Sequence, residues 1–465
     1  MTPLRRSTIL LILLFSAVVV HFPAAAQDAP ATGDASYLLH LPQLVSPPAA
    51  NVFGIEMNRI NSAKGLDLLR STSTTWVRRN ALLWRNVELT QGAEYVWDSR
   101  AVQLLEEDLR NAAEAGLKVV LIVRGSPRWA VAPYEADCAP INEQSYDDFA
   151  RFLAAAVERY SRPPFNVQYW EIGNEPDTYI FPQNAVFGCW GVQSDPYYGG
   201  EAYGRMLRAV VPAMKAANPR IKVLNGGLLL FRPYDSSDPK SNGGRFFEGV
   251  LRAGGGEAID IVSFHSYLYY SPGQPNPIGP SVDWRVRYLR DLLARYGVPD
   301  RPLLRSETAL LCPQVTASCR WSQADTLARS YMYAMRDNLL GNLWYIYDND
   351  SFHNTAMIEP TEVFVPRPAY FAYRHAIQML GAARYVGVPA GVPPGVEAYQ
   401  LQNPDGSVVY MAWSDAPAPP PLTLPVPAGR TSTCTNRDGG ATYCLRTSGR
   451  VTIYPEQSPQ YVLLR

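Results

Sequence analysis

Between Asn51 and about Leu380 the chain alternates short apolar runs with helical patterns, and this alternation limits the possible folds more than any other feature. Apolar runs near 52–57, 74–79, 117–124, 166–174, 221–229, 259–267, 302–307 and 341–347 read as strands. Helical periodicity marks 99–115, 145–160, 200–217, 243–253, 283–295, 322–339 and 368–380, with a shorter helix near 63–70. Asp98 and Ser145 are the expected N-caps of the first two long helices. Regular strand-helix alternation implies parallel strands joined by crossover helices, and eight such units fit a TIM (β/α)8 barrel better than an open doubly wound sheet. Glu56-Met57-Asn58-Arg59 stands where the open sheet would place a glycine-rich phosphate turn, and no G-x-x-x-x-G-K-[ST] loop occurs. No nucleotide cofactor is expected.

After Leu380 the pattern changes to short alternating stretches such as Ser407-Val408-Val409-Tyr410-Met411-Ala412-Trp413, with Pro-rich turns at 416–421 and a Cys-bounded hairpin at 434–444. The expected organisation is a barrel over 51–383 and a small all-β, sandwich-like domain over 384–465. Upstream, Arg5 and Arg6 precede an apolar run from Ile9 to Val20 and then Ala24-Ala25-Ala26, the layout of a secretory signal cleaved after Ala26. A signal anchor would need a longer run, about 20 residues, so no stable membrane insertion is expected after cleavage. Residues 27–50, rich in Ala and Pro, read as a flexible tether. A secreted chain fits the even number of cysteines, six. The short spacings of Cys312 to Cys319 and Cys434 to Cys444 suggest two local staples and leave Cys138 and Cys189 to pair by elimination; free buried thiols are the alternative, and spacing does not fix connectivity.

In a TIM barrel the active site is built at the C-terminal ends of the strands. Two glutamates stand there: Glu175, after Tyr169-Trp170-Glu171-Ile172-Gly173-Asn174, and Glu307, closing Pro302-Leu303-Leu304-Arg305-Ser306. A glycosidic oxygen needs a proton to leave and the anomeric carbon needs an anionic partner on its other face, so a protonated and an ionised carboxyl are the minimum for a retaining glycosidase. Strand-end or loop carboxylates that only form ion pairs are the plainer alternative. Asn174 beside the acid suits a sugar 2-hydroxyl. Arg305 or another cation would keep Glu307 ionised, and alternation alone does not choose between them.

Counting strands places Glu175 after the fourth and Glu307 after the seventh. With Asn174-Glu175-Pro176, residues 51–380 thereby resemble clan A of the glycoside hydrolases. The resemblance implies that Glu175 is the general acid/base and Glu307 the nucleophile, with Asn174 on the 2-hydroxyl. It also implies that His265 and Tyr267, a His-x-Tyr on the sixth strand, lie beside the nucleophile. Arg78 or Arg79, of which Arg78 fits the family spacing better, would hold the nucleophile anionic. Trp344 resembles the clan's floor tryptophan, which stacks on a pyranose. A barrel followed by a small β domain looks most like the families holding β-xylosidases, α-L-iduronidases and arabinofuranosidases, with cellulase- and mannanase-like endo-glycanases as runner-up. In the first group the β domain often also takes a strand from before the barrel, and residues 27–50 offer none.

Trp129, Tyr179, Phe181, Trp190, Tyr269, Tyr270 and Trp321 fall in strand-to-helix loops, where a sugar cleft wants stacking surfaces and where ordinary packing also places aromatics. The partner expected is an oligo- or polysaccharide. Nucleic acid is not, since 42 basic and 42 acidic residues cancel. Metal chemistry lacks a signal: His21, His40, His265, His353 and His375 show no paired ligand spacing and no Cys-x-x-Cys occurs. A serine hydrolase would need a G-x-S-x-G elbow, which Arg124-Gly125-Ser126-Pro127 fails to complete. A transglycosylase would share every catalytic residue, and a non-catalytic carbohydrate-binding barrel would have lost some of them.

Overall fold

A computed structural model of the chain describes residues 51–131, 136, 138–179, 188–230, 243–274, 278–349, 352–359 and 364–465. The expected leader and tether, and Phe181, lie outside the described residues. The apolar runs form β1 (Phe53–Glu56), β2 (Trp76–Leu83), β3 (Lys118–Arg124), β4 (Tyr169–Ile172), β5 (Lys222–Asn225), β6 (Val262–Tyr269), β7 (Leu303–Leu311) and β8 (Gly341–Trp344). They make one 8-stranded sheet in the order β5-β4-β3-β2-β1-β8-β7-β6. Its neighbours pair in parallel, and bridges Leu224–Ile261 and Leu228–Phe264 join its two ends into a barrel.

The crossovers that parallel pairing demands are supplied by α1 (Leu66–Arg70), α2 (Arg100–Glu114), α3 (Arg128–Val131), α4 (Tyr146–Tyr160), α5 (Gly200–Ala217), α6 (Gly243–Arg252), α7 (Gly255–Ala258), α8 (Ile278–Arg295), α9 (Ala317–Arg336) and α10 (Pro368–Leu380). One cap differs from expectation: Ser99, not Asp98, has the extended backbone that aims its hydroxyl at Val102 N, while Asp98 contributes only its carbonyl, to Gln103 Nε2 at 2.9 Å. Ser145 occupies the N-cap of α4 without a side-chain cap bond.

Strand alternation splits the apolar residues into two layers. Trp76, Val120, Leu224, Ile261, Leu304 and Leu343 fill the barrel interior, while Val77, Leu121, Trp170, Val223, Leu303 and Trp344 face the helices in a larger cluster. A bulge breaks the alternation in β7: Arg305 pairs with Phe264 but Glu307 pairs with His265, leaving Ser306 as the extra residue. Arg305, before the bulge and next to inward-facing Leu304, is turned outward by ordinary alternation, donating to Asn342 Oδ1 at 2.6 Å and Ser330 O at 3.0 Å.

Beyond a short hairpin, β9 (Ile358–Glu359) with β10 (Val365–Pro366), and α10, the chain is all-β. The strands are β11 (Arg384–Gly387), β12 (Glu397–Gln402), β13 (Val408–Trp413), β14 (Leu422–Pro425), β15 (Ser432–Asn436), β16 (Leu445–Thr447), β17 (Arg450–Ile453) and β18 (Gln460–Leu464). A 5-stranded sheet, β11-β12-β13-β18-β15, and a 3-stranded sheet, β14-β17-β16, share a core of Tyr410, Leu424, Val451 and Val462. Disulfides join Cys138 to Cys189, Cys312 to Cys319 and Cys434 to Cys444. No helix among the described residues is long and apolar enough to cross a membrane.

Helix α9 lies between barrel and β sheets and is buried almost all round, including its polar residues. Arg329 reaches Asp415 through both terminal nitrogens, at 2.9 and 2.8 Å. One turn earlier Asp325 accepts from Arg437 at 2.7 Å. Asp415→Ala would take both carboxylate bonds from Arg329, whose side chain is 1% exposed, and leave it the Gln457 carbonyl. The expected cost is about 1.5–3 kcal/mol, read as a lower denaturant midpoint.

Candidate active site

Arg78 is carried into the barrel interior by β2, opposite Glu56 of β1, and is completely buried. A guanidinium has five donors in a fixed fork, and this one bonds four residues in or just after three strands, β1, β4 and β7. Nε donates to Glu171 Oε2 at 2.6 Å, and Nη1 donates to Glu56 Oε2 at 2.6 Å and to Glu307 Oε1. Nη2 donates to Asn174 Oδ1 at 2.8 Å. Arg79, the alternative from sequence, points to the helix layer and binds Asp108 at 2.8 Å. The cation beside Glu307 is thus Arg78, and neither Arg305 nor Arg79.

Strand β4 ends at Ile172, and the next residues turn its carboxylate inward. Gly173 takes φ 84°, which only glycine adopts freely, and Glu175 itself sits at φ 50°. For a side-chain-bearing residue that conformation costs about 1–2 kcal/mol, and the Glu175 N–H bond to Gly227 O at 3.1 Å holds it there. Glu175 Oε1 meets His265 Nδ1 at 2.7 Å. Its Oε2 is buried with no hydrogen-bond partner among the described residues. On β6, two residues beyond His265 and on the same face, Tyr267 donates its hydroxyl to Glu307 Oε2.

The two glutamates have unequal surroundings. Burial pushes the Glu175 carboxyl well above its ordinary range, and the neighbouring Glu307 and Asp177 add to the rise while Arg78 opposes it less strongly. Burial also raises Glu307, but Arg78 and the Tyr267 hydroxyl pull it back. The proton therefore rests preferentially on Glu175 and the negative charge on Glu307. His265 is held neutral, its pKa driven well below the usual value by burial and then by Arg78. One oxygen of Glu175, one of Glu307 and a ring nitrogen of His265 lie within 4.8 Å of one another. Those atoms are spent on each other, on Arg78 and on Tyr267, and the guanidinium already stands where a cation would.

Sequence reasoning placed Arg78, Asn174, Glu175, His265, Tyr267 and Glu307, and the fold brings all of them together. Trp344 does not join them. It is fully buried on the helix side of β8, its indole N–H donating to Thr355 O at 2.9 Å. Leu343 faces the interior, so alternation turns the next residue but one, Tyr345, toward the site, where its ring lies 6.2 Å from that of Tyr267. Of the loop aromatics, Trp129 packs on Trp84 at 5.1 Å and Trp190 on Tyr203 at 5.3 Å. Tyr179 packs against the main core, and Tyr270 bonds Ser318 Oγ at 2.6 Å. Trp321 carries Arg437 from the β sheets over its ring at 4.8 Å. Tyr269, at the rim end of β6, is 66% exposed.

Glu56, Glu171, Ser263 and Ser306 were missed. Ser263 Oγ donates to Glu171 Oε1 at 2.7 Å and Ser306 Oγ does so at 3.1 Å. Period-2 spacing from His265, from Arg78's partner strand and from Leu304 would have found Ser263, Glu56 and Ser306; the bulge is what turns Glu307 inward beside Ser306.

No protein-family model matches the chain, and no curated protein matches it in sequence. Solved structures do match in fold. A family 39 glycoside hydrolase from the gut symbiont Bacteroides cellulosilyticus WH2 aligns with a TM-score of 0.66 at 22% identity, over 89% of this chain and 81% of that one. A GH30 endoxylanase from Clostridium papyrosolvens C71 gives 0.60 at 12%, over 90% and 98%. A GH39 β-xylosidase from Caulobacter crescentus gives 0.59 at 14%, over 90% and 97%. At these identities the likeness establishes the fold, a (β/α)8 barrel with a C-terminal β layer, as the resemblance to clan A implied.

One guanidinium faces the carboxyls of Glu56, Glu171 and Glu307, and Glu56 is raised to about 8, chiefly by burial against the opposing pull of Arg78. A folded-state pKa above the unfolded one means that this group favours folding at low pH, and that the contribution is lost as pH rises from about 4.5 to about 8. Glu56→Gln keeps an acceptor for Arg78 and cannot ionise. Its melting temperature should fall less steeply than wild type across that window in thermal scans, and parallel slopes would show that Glu56 is charged throughout.

Proposed function

We propose that the protein is a secreted retaining O-glycoside hydrolase acting on an oligo- or polysaccharide. The observation that carries this reading is the facing of Glu175 and Glu307, with oxygens within 4.8 Å in unequal environments, Arg78 and the Tyr267 hydroxyl pulling on Glu307 while Glu175 is raised further. Retaining enzymes hold their carboxyls about 5–5.5 Å apart, against about 6.5–9.5 Å where a water must fit between carboxyl and sugar. Glu307 attacks the anomeric carbon while Glu175 gives its proton to the leaving oxygen. Glu175 then takes a proton from water, which displaces Glu307 with net retention. Asn174, fixed by Arg78 at 2.8 Å, is placed for the sugar 2-hydroxyl, and Tyr267 steadies the nucleophile. The names of the matched endoxylanase and β-xylosidase suggest β-xylosides as the first substrates to try. Three disulfides support an oxidising destination, and N-terminal sequencing of secreted protein should begin at Gln27.

Protein lacking residues 1–26 should hydrolyse an aryl pentoside with retained configuration, followed by NMR of the product anomer. Glu307→Ala should abolish turnover. Glu175→Ala should lose about 10²–10⁴-fold on poor leaving groups, and on activated aryl glycosides, which need no proton to leave, azide should restore turnover by displacing Glu307 to give the glycosyl azide. Sugar binding without turnover across a broad panel would instead identify a binding module, and products longer than the substrate a transglycosylase. The alkaline limb of kcat/KM should lie above the ordinary carboxylate range, because activity is lost as pH rises through the raised pKa of Glu175. Activity should fall at acid pH as Glu307 takes up its proton.

A further inference from the structure

We propose that Glu171, Ser263 and Ser306 lock His265 in the tautomer with its proton on Nε2, so that bare Nδ1 accepts a hydrogen bond from Glu175 and keeps the proton on the acid. The tautomer assignment stands on the hydrogen-bond geometry around a buried ring that burial and Arg78 keep neutral; its catalytic meaning rests on the glycosidase reading above. Glu171 Oε2 is ion-paired with Arg78 at 2.6 Å, so Oε1 only accepts. It receives Ser263 Oγ at 2.7 Å and Ser306 Oγ at 3.1 Å, and the two hydroxyl oxygens are 2.6 Å apart. Each serine has one proton. Whichever serine bonds Glu171 directly, the Ser306 proton is drawn toward Glu171 or Ser263. Ser306 Oγ then faces His265 Nε2, 3.1 Å away, as an acceptor, and the ring must supply the proton there. A neutral imidazole has no second one, so Nδ1 presents a lone pair to Glu175 Oε1 at 2.7 Å. Two acceptors cannot share that distance, and the carboxyl keeps its hydrogen.

The opposite tautomer has support of its own. Nδ1 stands 3.5 Å from Glu307 as well, and two carboxylates would favour an N–H between them. Arg78, Glu56 and Asp177 complete the charges around the pair, and among the described residues none of them hydrogen-bonds the ring. The serine-glutamate side therefore decides the contest. Room for it is provided by Gly227, where a β-carbon would fall 2.0 Å from His265 Nε2 and 2.8 Å from Ser306 Oγ. Once Glu175 has protonated the leaving group, the same lone pair disfavours its anion, making it a stronger base for the water of the second step. His265, Ser306, Ser263 and Glu171 are positioning residues in this scheme; Glu175 alone exchanges the proton.

The test is 15N-histidine NMR of the protein lacking residues 1–26, with the His265 signal assigned by its loss in His265→Gln. Wild type should show protonated Nε2 and bare Nδ1, and Ser306→Ala should shift the ring toward Nδ1–H. In parallel, the alkaline limb of kcat/KM should move down by about one pH unit in Ser306→Ala, as an N–H now stabilises the Glu175 anion. The loss in rate should be larger for poor leaving groups than for activated aryl glycosides. A wild-type ring protonated on Nδ1, or a ring and pH profile both unmoved by Ser306→Ala, overturns the proposal. If no glycoside is turned over but the ring is protonated on Nε2, the lock stands and the glycosidase reading fails.

Discussion

The buried fork of Arg78 is the interaction on which the rest of the site depends. Strands β1, β2, β4 and β7 are brought around one barrel interior by apolar packing that is indifferent to what their ends carry. Those ends carry Glu56, Glu171 and Glu307 around one guanidinium, with Asn174 as a neutral fourth partner. Burying so many carboxyls is tolerable only because a cation that never deprotonates sits among them and because some of them keep their protons. That imbalance also makes the carboxyls unequal. One positive charge cannot satisfy every carboxylate equally, so it separates them into ionised and protonated members, and Glu307 lies inside the fork's reach while Glu175 lies at its margin.

Around this fork the scaffold applies strain and relief in specific places. Glu175 is held in a left-handed backbone conformation by its bond to Gly227, which turns its side chain into the barrel instead of along β4. The bulge in β7 presents consecutive residues, Ser306 and Glu307, to the interior. One joins the serine-glutamate network behind His265 and the other lies against Arg78 and Tyr267. A regular strand could have supplied only one of them.

The β sheets that follow the barrel contribute through α9. Arg329 and Asp325, one turn apart, fasten the helix to Asp415 and Arg437. On its other side, Ser330 of α9 accepts from Arg305 at 3.0 Å, which keeps that second arginine out of the interior. A packing interface far from the carboxylates thereby helps to leave Arg78 as the cation that touches Glu307.

Much of this was legible in the chain itself. Strand and helix order followed from hydrophobic period, because the barrel strands are buried on both faces and most long helices, α9 apart, on one stripe. Glu175, Glu307, Asn174, His265, Tyr267 and Arg78 could be placed because side chains at strand ends inherit their position from the strand count. Trp344 was assigned to the wrong face, since a one-residue shift in a period-2 element exchanges interior for exterior, and Tyr345 is the residue that alternation from Leu343 turns inward. Other features belong only to the tertiary structure: the bulge at Ser306, the sharing of Arg78 among Glu56, Glu171 and Glu307, and the path from Glu171 to His265. Each depends on atoms that meet across strands far apart in sequence, and such meetings are set by register and bulges that no local pattern encodes. The residues that meet in the site were thus written in the sequence, and which of them favour a proton was decided by how the barrel buries them together.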